Sequence, residues 1–165
     1  MTGTEAAFAH PAPVTDADSE PFWSACVQGE LVGQRCGGCG TWRWPPREYC
    51  PECHTPAPVW ERLPGTGRIV GHVVVHRPLG PAFADELPLA IVHVELDGTE
   101  GEMVLTSKLQ EGEWRHAAVG ARVSVRFTAV RPGLVLPAFT LDHESTPAPA
   151  PAPAQKEPRH DLDAA

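Results

Sequence analysis

Positive charge is the first thing this sequence lacks. Residues 1–33 contain no Lys or Arg against five carboxylates, and no later segment gathers basic residues into a block. The net charge is -8 over 165 residues, so the electrostatic footprint of a nucleic-acid binder is missing. Long hydrophobic runs are missing too. Nothing approaches the ~18 uninterrupted apolar residues of a membrane span, and residues 1–20 show neither the basic n-region nor the apolar core of a secretory leader. A reducing cytoplasm is therefore the expected compartment. Catalytic signatures are equally scarce. There is no Gly-rich phosphate cradle of the dinucleotide or P-loop kind. His72, His76, His93, His116 and His143 are scattered, with no Ser or acid beside them in a nucleophile motif. By itself the chain reads as a binding or interaction module.

What it does have is cysteine in a pattern. Of five cysteines, four form two knuckles, Cys36-Gly37-Gly38-Cys39 and Cys50-Pro51-Glu52-Cys53, ten residues apart. Each Cys-x-x-Cys turn sets two sulfurs on one side, and two such turns complete a tetrahedral Zn²⁺ site with Zn–S of about 2.3 Å. Gly37, Gly38 and Gly40 permit positive φ in the first turn, and Pro51 stiffens the second. Two disulfides would need an oxidising compartment, and a thioredoxin-like redox role would need a βαβ surround that neither pair has. His54 adjoins Cys53 but is not needed where four thiolates suffice. A closed Cys₄ set leaves no position for water or substrate, so the zinc is expected to be structural. The fifth cysteine, Cys26, sits among Phe22, Trp23 and Val27 and reads as a buried, inert thiol.

An apolar fraction of 42% supports a modest core, and 19 prolines and 15 glycines imply many turns. Residues 1–17 are small, polar and proline-punctuated, and are expected to form a flexible N-terminus. Residues 18–33 carry a short helix capped by Asp18 or Ser19, with Pro21 in its first turn. Phe22, Trp23, Cys26 and Val27 fall on one helical face, which packs on its own domain or docks on a partner. Residues 34–62 form a rubredoxin-like zinc ribbon. Within it Trp42, Arg43, Trp44 and Arg47 interleave aromatics with cations, either as the small module's core or as a surface for a ligand, partner or nucleic-acid base. From residue 63 to 143 the pattern turns to strands, five in all. Gly71 inside the first suggests a bulge or bend, and Val123, Val125 and Phe127 alternate with Arg122, Ser124 and Arg126. A mainly β fold follows, with a five-stranded OB-type barrel preferred over a five-stranded sandwich. Residues 144–165 include an alternating Pro-Ala run over 147–154, which favours extended polyproline geometry and points to a disordered tail.

The order of these features matters. A short aromatic-bearing helix precedes Gly29-Glu30-Leu31 and Gln34-Arg35-Cys36. Then come Pro45-Pro46-Arg47, Cys50-Pro51-Glu52-Cys53, Gly65-Thr66-Gly67 and a last strand containing Leu136-Pro137-Ala138-Phe139. The chain thereby resembles, over residues 21–142, the zinc-ribbon plus OB-fold proteins that accompany thiolases and other acyl-CoA enzymes, a family long known as a domain of unknown function. The resemblance implies a non-catalytic accessory subunit in a hetero-oligomer of α₂β₂ type. The implied partner is a thiolase-like enzyme, a retro-aldolase of steroid or lipid side chains, or an enoyl-CoA hydratase, with acyl-CoA at or near the interface. It also makes Phe22, Trp23, Arg35, Trp42, Arg43, Trp44 and Arg47 candidate contacts for partner or ligand. Two other readings stay open: a single-strand nucleic-acid-binding OB protein, which the acidic balance opposes, and a free-standing acyl-CoA enzyme or carrier, which the missing catalytic set opposes.

Overall fold

The computed structural model describes residues 11–78 and 80–142. The expectations for residues 1–10 and for the tail from 143 onward lie outside the described residues. Helix α1 spans Glu20–Val27. Three strands follow in the ribbon: β1 (Val32–Cys36), β2 (Trp42–Arg43) and β3 (Pro58–Arg62). The barrel comprises β4 (Thr66–Val75), β5 (Leu89–Leu96), β6 (Val104–Lys108), β7 (Arg122–Arg131) and β8 (Leu134–Leu141). Short 3₁₀ turns at Pro81–Glu86 and Glu113–His116 sit in the two longer connections.

Both ends of α1 are set by local chemistry. Ser19 is the N-cap, but its side chain bonds no helix amide. Instead the Ser19 hydroxyl and amide both donate to Asp16 Oδ1, at 2.6 and 2.8 Å, and the Glu20 amide donates to the Asp16 carbonyl. The fixed φ of Pro21 suits the first turn, where a missing N–H costs nothing. At the C-terminus Gly29 takes φ 76°. Its amide reaches the Cys26 carbonyl and the Glu30 amide reaches the Ala25 carbonyl, a Schellman closure that satisfies two orphan carbonyls.

The ribbon is an antiparallel sheet in the order β2-β1-β3. The second sheet runs β6-β5-β4-β7-β8 and closes on itself where Leu109 bridges Phe139 in parallel and the Gln110 amide donates to the Phe139 carbonyl. That closure makes it a barrel rather than a sandwich. The β4–β5 register shifts between Ile69 and Gly71, so the glycine marks a bulge that bends the strand around the barrel. The first three residues of β4 (Thr66 to Arg68) pair with β7.

One apolar core runs through the whole described chain. Ile69, Val92, Val94, Val123 and Phe139 fill the barrel, and Met103, Leu31, Leu63 and Trp42 carry the packing into the ribbon. Phe22 and Cys26 bring α1 onto it. The ribbon and barrel are further joined by the Trp42 amide, which donates to Glu102 Oε2 at 2.7 Å.

Candidate metal centre and the surfaces around it

Strand pairing fixes the first knuckle. The Cys36 amide donates to the Thr41 carbonyl at 2.9 Å and the Gly40 amide to the Cys36 carbonyl at 2.8 Å, with Gly40 at φ 81°. The second knuckle repeats this: the Cys50 amide reaches the Thr55 carbonyl and the His54 amide the Cys50 carbonyl, with His54 at φ 58°. His54 thus occupies the left-handed position that Gly40 fills in the first turn, and it is exposed. Gly37 and Gly38, expected to relieve backbone strain, do not take positive φ. Their use is space. A Cβ on Gly37 would stand 3.1 Å from Val59 and one on Gly38 3.2 Å from Thr55 Oγ1.

The four sulfurs of Cys36, Cys39, Cys50 and Cys53 converge, all within 4.8 Å of one another. Cys36 Sγ lies 3.5 Å from Cys53 Sγ, and Cys39 Sγ lies 3.6 Å from Cys50 Sγ. A tetrahedron with Zn–S near 2.3 Å has edges of about 3.8 Å, so the donor set fits one zinc ion with little adjustment. The environment favours thiolate. Amides of Cys39 and Gly38 hold the Cys36 thiol below its ordinary value, and the hydroxyls of Thr41 and Thr55 do the same for Cys39 and Cys53. Cys50 receives an amide of Cys53, yet burial and the neighbouring sulfurs push it up to about 11. Metal binding must displace the Cys50 proton. The two threonines were legible as a repeated Cys-x-x-Cys-x-Thr, a signal the sequence reading passed over.

The other candidate residues divide by burial. Phe22 and Trp42 are 2% and 7% exposed, and Arg43 is 3% exposed, so these three pack chiefly inside the chain, with Phe22 also lining an apolar cleft. The reason lies in the hairpin's two faces. Gly33, Arg35 and Trp42 share the face turned to the barrel, where a Cβ on Gly33 would meet Met103 Sδ and Trp42 Cζ3 at 2.8 Å. Gln34 and Arg43 share the face turned to the second knuckle, where Gln34 Oε1 accepts from the Arg47 amide at 2.8 Å. Arg35 lies over the Trp42 ring at 5.3 Å, donates to the Gly40 carbonyl and pairs with Glu61 at 3.5 Å. Arg47 is exposed, and Trp23 and Trp44 are half-buried.

Trp23 and Trp44 border an apolar cleft of about 300 Å³, with Phe22, Phe83, Leu136 and Pro137 among its other walls. Phe83 was not singled out from sequence, because the residue 77–88 connection carries no pattern that would aim it. Lys108, ion-paired with Glu86, stands at the same cleft. The histidines do not gather. His93 Nδ1 is 2.9 Å from Thr106 Oγ1, while His76 stacks edge-on against Trp114. Among the described residues the four cysteines are the one cluster of metal-binding side chains, and no helix is long and apolar enough to cross a membrane.

Two family models match in tandem: the ChsH2 rubredoxin-like zinc ribbon domain over residues 23–59 and the ChsH2 C-terminal OB-fold domain over residues 60–128. A probable enoyl-CoA hydratase alpha subunit of Thermomonospora curvata is 34% identical over 78% of this chain, which spans only 39% of that relative's length. A DUF35 domain-containing scaffold protein of Methanocaldococcus jannaschii is 31% identical over 61% of this chain and 70% of its own. Among solved structures, the Ltp2-ChsH2(DUF35) aldolase matches with a TM-score of 0.70 and 31% identity, covering 78% of this chain and 98% of the other. A DUF35-family protein from Sulfolobus solfataricus shares the fold, at a TM-score of 0.53 and 18% identity over 78% of this chain and 87% of the other. With its Cys₄ site for one structural zinc and its closed five-stranded barrel, the chain belongs to the ChsH2 (DUF35) family of zinc-ribbon plus OB-fold proteins.

Proposed function

We propose that this chain is a non-catalytic accessory subunit of an acyl-CoA enzyme, binding and stabilising a thiolase-superfamily partner and forming part of the wall of its acyl-CoA site. The observation that carries the reading is the apolar cleft, in a chain whose metal site is closed to substrate. A closed Cys₄ site has no open coordination position, and the thiol outside it, Cys26, is fully buried and pushed up to about 12 by that burial. Meanwhile Trp23, Trp44 and Phe83 line a greasy recess at the junction of helix, ribbon and barrel. Large aromatics around such a recess are what protein partners and apolar ligands engage. Exposed Val27 and Tyr49, at 55% and 57%, extend apolar surface on the helix and ribbon. Of Arg35, Arg43 and Arg47, Arg47 is the exposed one and is the candidate for meeting the CoA phosphates.

The similarity to the Ltp2-ChsH2(DUF35) aldolase supports an aldolase-type partner, and the family resemblance of the sequence implies retro-aldol chemistry on lipid or steroid side chains. A second reading, an accessory subunit of an enoyl-CoA hydratase, is favoured by the relative that carries that name. Both readings give a hetero-oligomer of α₂β₂ type, operating in the cytoplasm. Affinity purification of the tagged full chain from its native host, followed by mass spectrometry, tests them. A stoichiometric thiolase-fold enzyme is the expected companion, and a hydratase would select the second reading. Recovery of the chain alone would reject both, and acyl-CoA turnover by the isolated chain would reject the non-catalytic assignment.

A further inference from the structure

Among the described residues Arg43 is sealed in the ribbon without a counter-charge. It is 3% exposed, and no other described Asp, Glu, Lys or Arg is buried. Its Nη1 reaches the Glu48 carbonyl at 3.4 Å, while Nε and Nη2 are buried with no hydrogen-bond partner among the described residues. A guanidinium cannot shed its proton to escape this position, and an isolated buried charge is strongly unfavourable. Such a group calls for a compensating partner, and its location names one.

The register pairs Gln34 with Arg43, and the Cys36 amide bonds the Thr41 carbonyl. Paired residues share a face and faces alternate along a strand, so Arg43 projects on the same side of the hairpin as Gln34, Thr41 and Cys36. The carbonyl it touches belongs to Glu48, two residues before Cys50. The guanidinium therefore lies between the hairpin that carries Cys36 and Cys39 and the segment that leads into Cys50 and Cys53. Four thiolates around Zn²⁺ carry a net charge of -2. Arg35 does not serve here, since it lies on the opposite face with Glu61 and the Gly40 carbonyl as partners.

We propose that Arg43 is the buried counter-cation of the zinc tetrathiolate. It offsets part of the site's negative charge through a medium of low dielectric, where such an interaction is strong. It also holds the segment entering the second knuckle through the Glu48 carbonyl. It is a positioning residue for the metal and touches no substrate.

The test uses the full chain with Arg43→Met, which keeps most of the volume and removes the charge, and Arg43→Lys, which keeps the charge without the planar fork. Co²⁺ affinity is read from the thiolate-to-metal absorption band, and zinc release from transfer to a chromogenic chelator. Arg43→Met is expected to lose about tenfold or more in metal affinity, as outer-shell partners of metal sites do, while Arg43→Lys loses less than about fivefold. If Arg43→Met binds within about fivefold of the unaltered chain, or Arg43→Lys loses as much as Arg43→Met, the charge is not what matters and the proposal is overturned. Should Arg43→Met fail to fold at saturating metal, Arg43→Lys decides alone: a loss under about fivefold supports the proposal and a larger one overturns it.

Discussion

The ring of Phe22 on α1 meets that of Trp44 in the ribbon at a centroid distance of 4.7 Å and an interplanar angle of 58°. Phe22 also stands edge-on to Trp23 at 5.0 Å. One buried phenyl thus ties the helix to the segment between the two cysteine knuckles and shapes the wall of the apolar cleft. Phe22→Ala is expected to cost about 3–5 kcal/mol, combining lost transfer energy with the cavity left behind. Urea denaturation of the zinc-loaded protein checks this, and zinc stoichiometry should stay at one, because no sulfur depends on the phenyl. A loss below about 1 kcal/mol would mean that the helix is not integral to the core.

Gly33 carries the contact between ribbon and barrel. Its backbone is extended, so strain is not at issue. A Cβ there would come within 2.8 Å of both Met103 Sδ and Trp42 Cζ3. Met103 can yield, but Trp42 is clamped by Arg35 above it and by its amide bond to Glu102. Gly33→Ala is therefore expected to destabilise by about 1–3 kcal/mol through overpacking. A change in the tryptophan fluorescence spectrum should accompany the loss. Unaltered stability would show that the two modules can part without cost.

At the end of the barrel next to the ribbon, Arg122 Nη1 donates to Asp97 Oδ1 at 3.0 Å, and Thr66 Oγ1 donates to Asp97 Oδ2 at 2.5 Å. The turn after β5 is thereby fastened to β4 and β7. Arg122, chiefly, holds the Asp97 carboxyl below its usual value of 3.8. A depressed folded-state value means that this stabilisation is present above the unfolded value and fades as pH falls through the folded one. Both side chains are more than a third exposed, at 38% and 34% for Arg122 and Asp97, so screening limits the effect to about 1 kcal/mol or less. Asp97→Asn should accordingly be less stable at pH 7 and converge with the unaltered chain at acid pH. A difference that persists below the range of the depressed carboxyl would assign the effect to the Thr66 hydrogen bond instead.

Much of this architecture was legible in the residues. The cysteine spacing gave the ribbon, the bulge falls at Val70 beside Gly71, and Pro132-Gly133 opens a last strand over Leu134–Leu141. Those features are local, set by turn geometry or by alternation over a few residues. What could not be read was which side of the hairpin each residue faces toward a second module. The Trp42 to Arg47 stretch reads as one aromatic and cationic surface. In the fold Trp42 turns to the barrel, Arg43 turns to the second knuckle, and Trp44 meets the helix. That separation depends on Gly33 admitting Met103 and on Gln34 capturing the Arg47 amide, neither of which spacing alone reveals. The cleft escaped for the same reason, since Phe83, Trp44 and Leu136 line one cavity only after the chain closes.

Cys26 is fully buried in the shared core, and burial pushes its thiol from 9.0 up to about 12. At pH 8 only about one molecule in ten thousand would carry the thiolate that alkylating reagents attack. The zinc-loaded protein should therefore resist iodoacetamide at all five cysteines. A strong chelator is expected to expose the four ribbon thiols first, because the metal supplies that module's folding energy directly. Lowering the pH should ease the chelator's work, since protons compete with zinc for the same sulfurs. Cys26 should lag until the core itself opens, giving four fast modifications and one slow one by mass spectrometry. The pH dependence of stability is distinct. A raised folded-state value leaves stability intact below the unfolded value near 9 and erodes it as pH climbs toward about 12, where the unfolded chain ionises and the folded one does not. Cys26→Ala should abolish that share of the alkaline loss while leaving the acid limb unchanged. Five cysteines modified at one rate after chelation would show that ribbon and barrel unfold as a single unit.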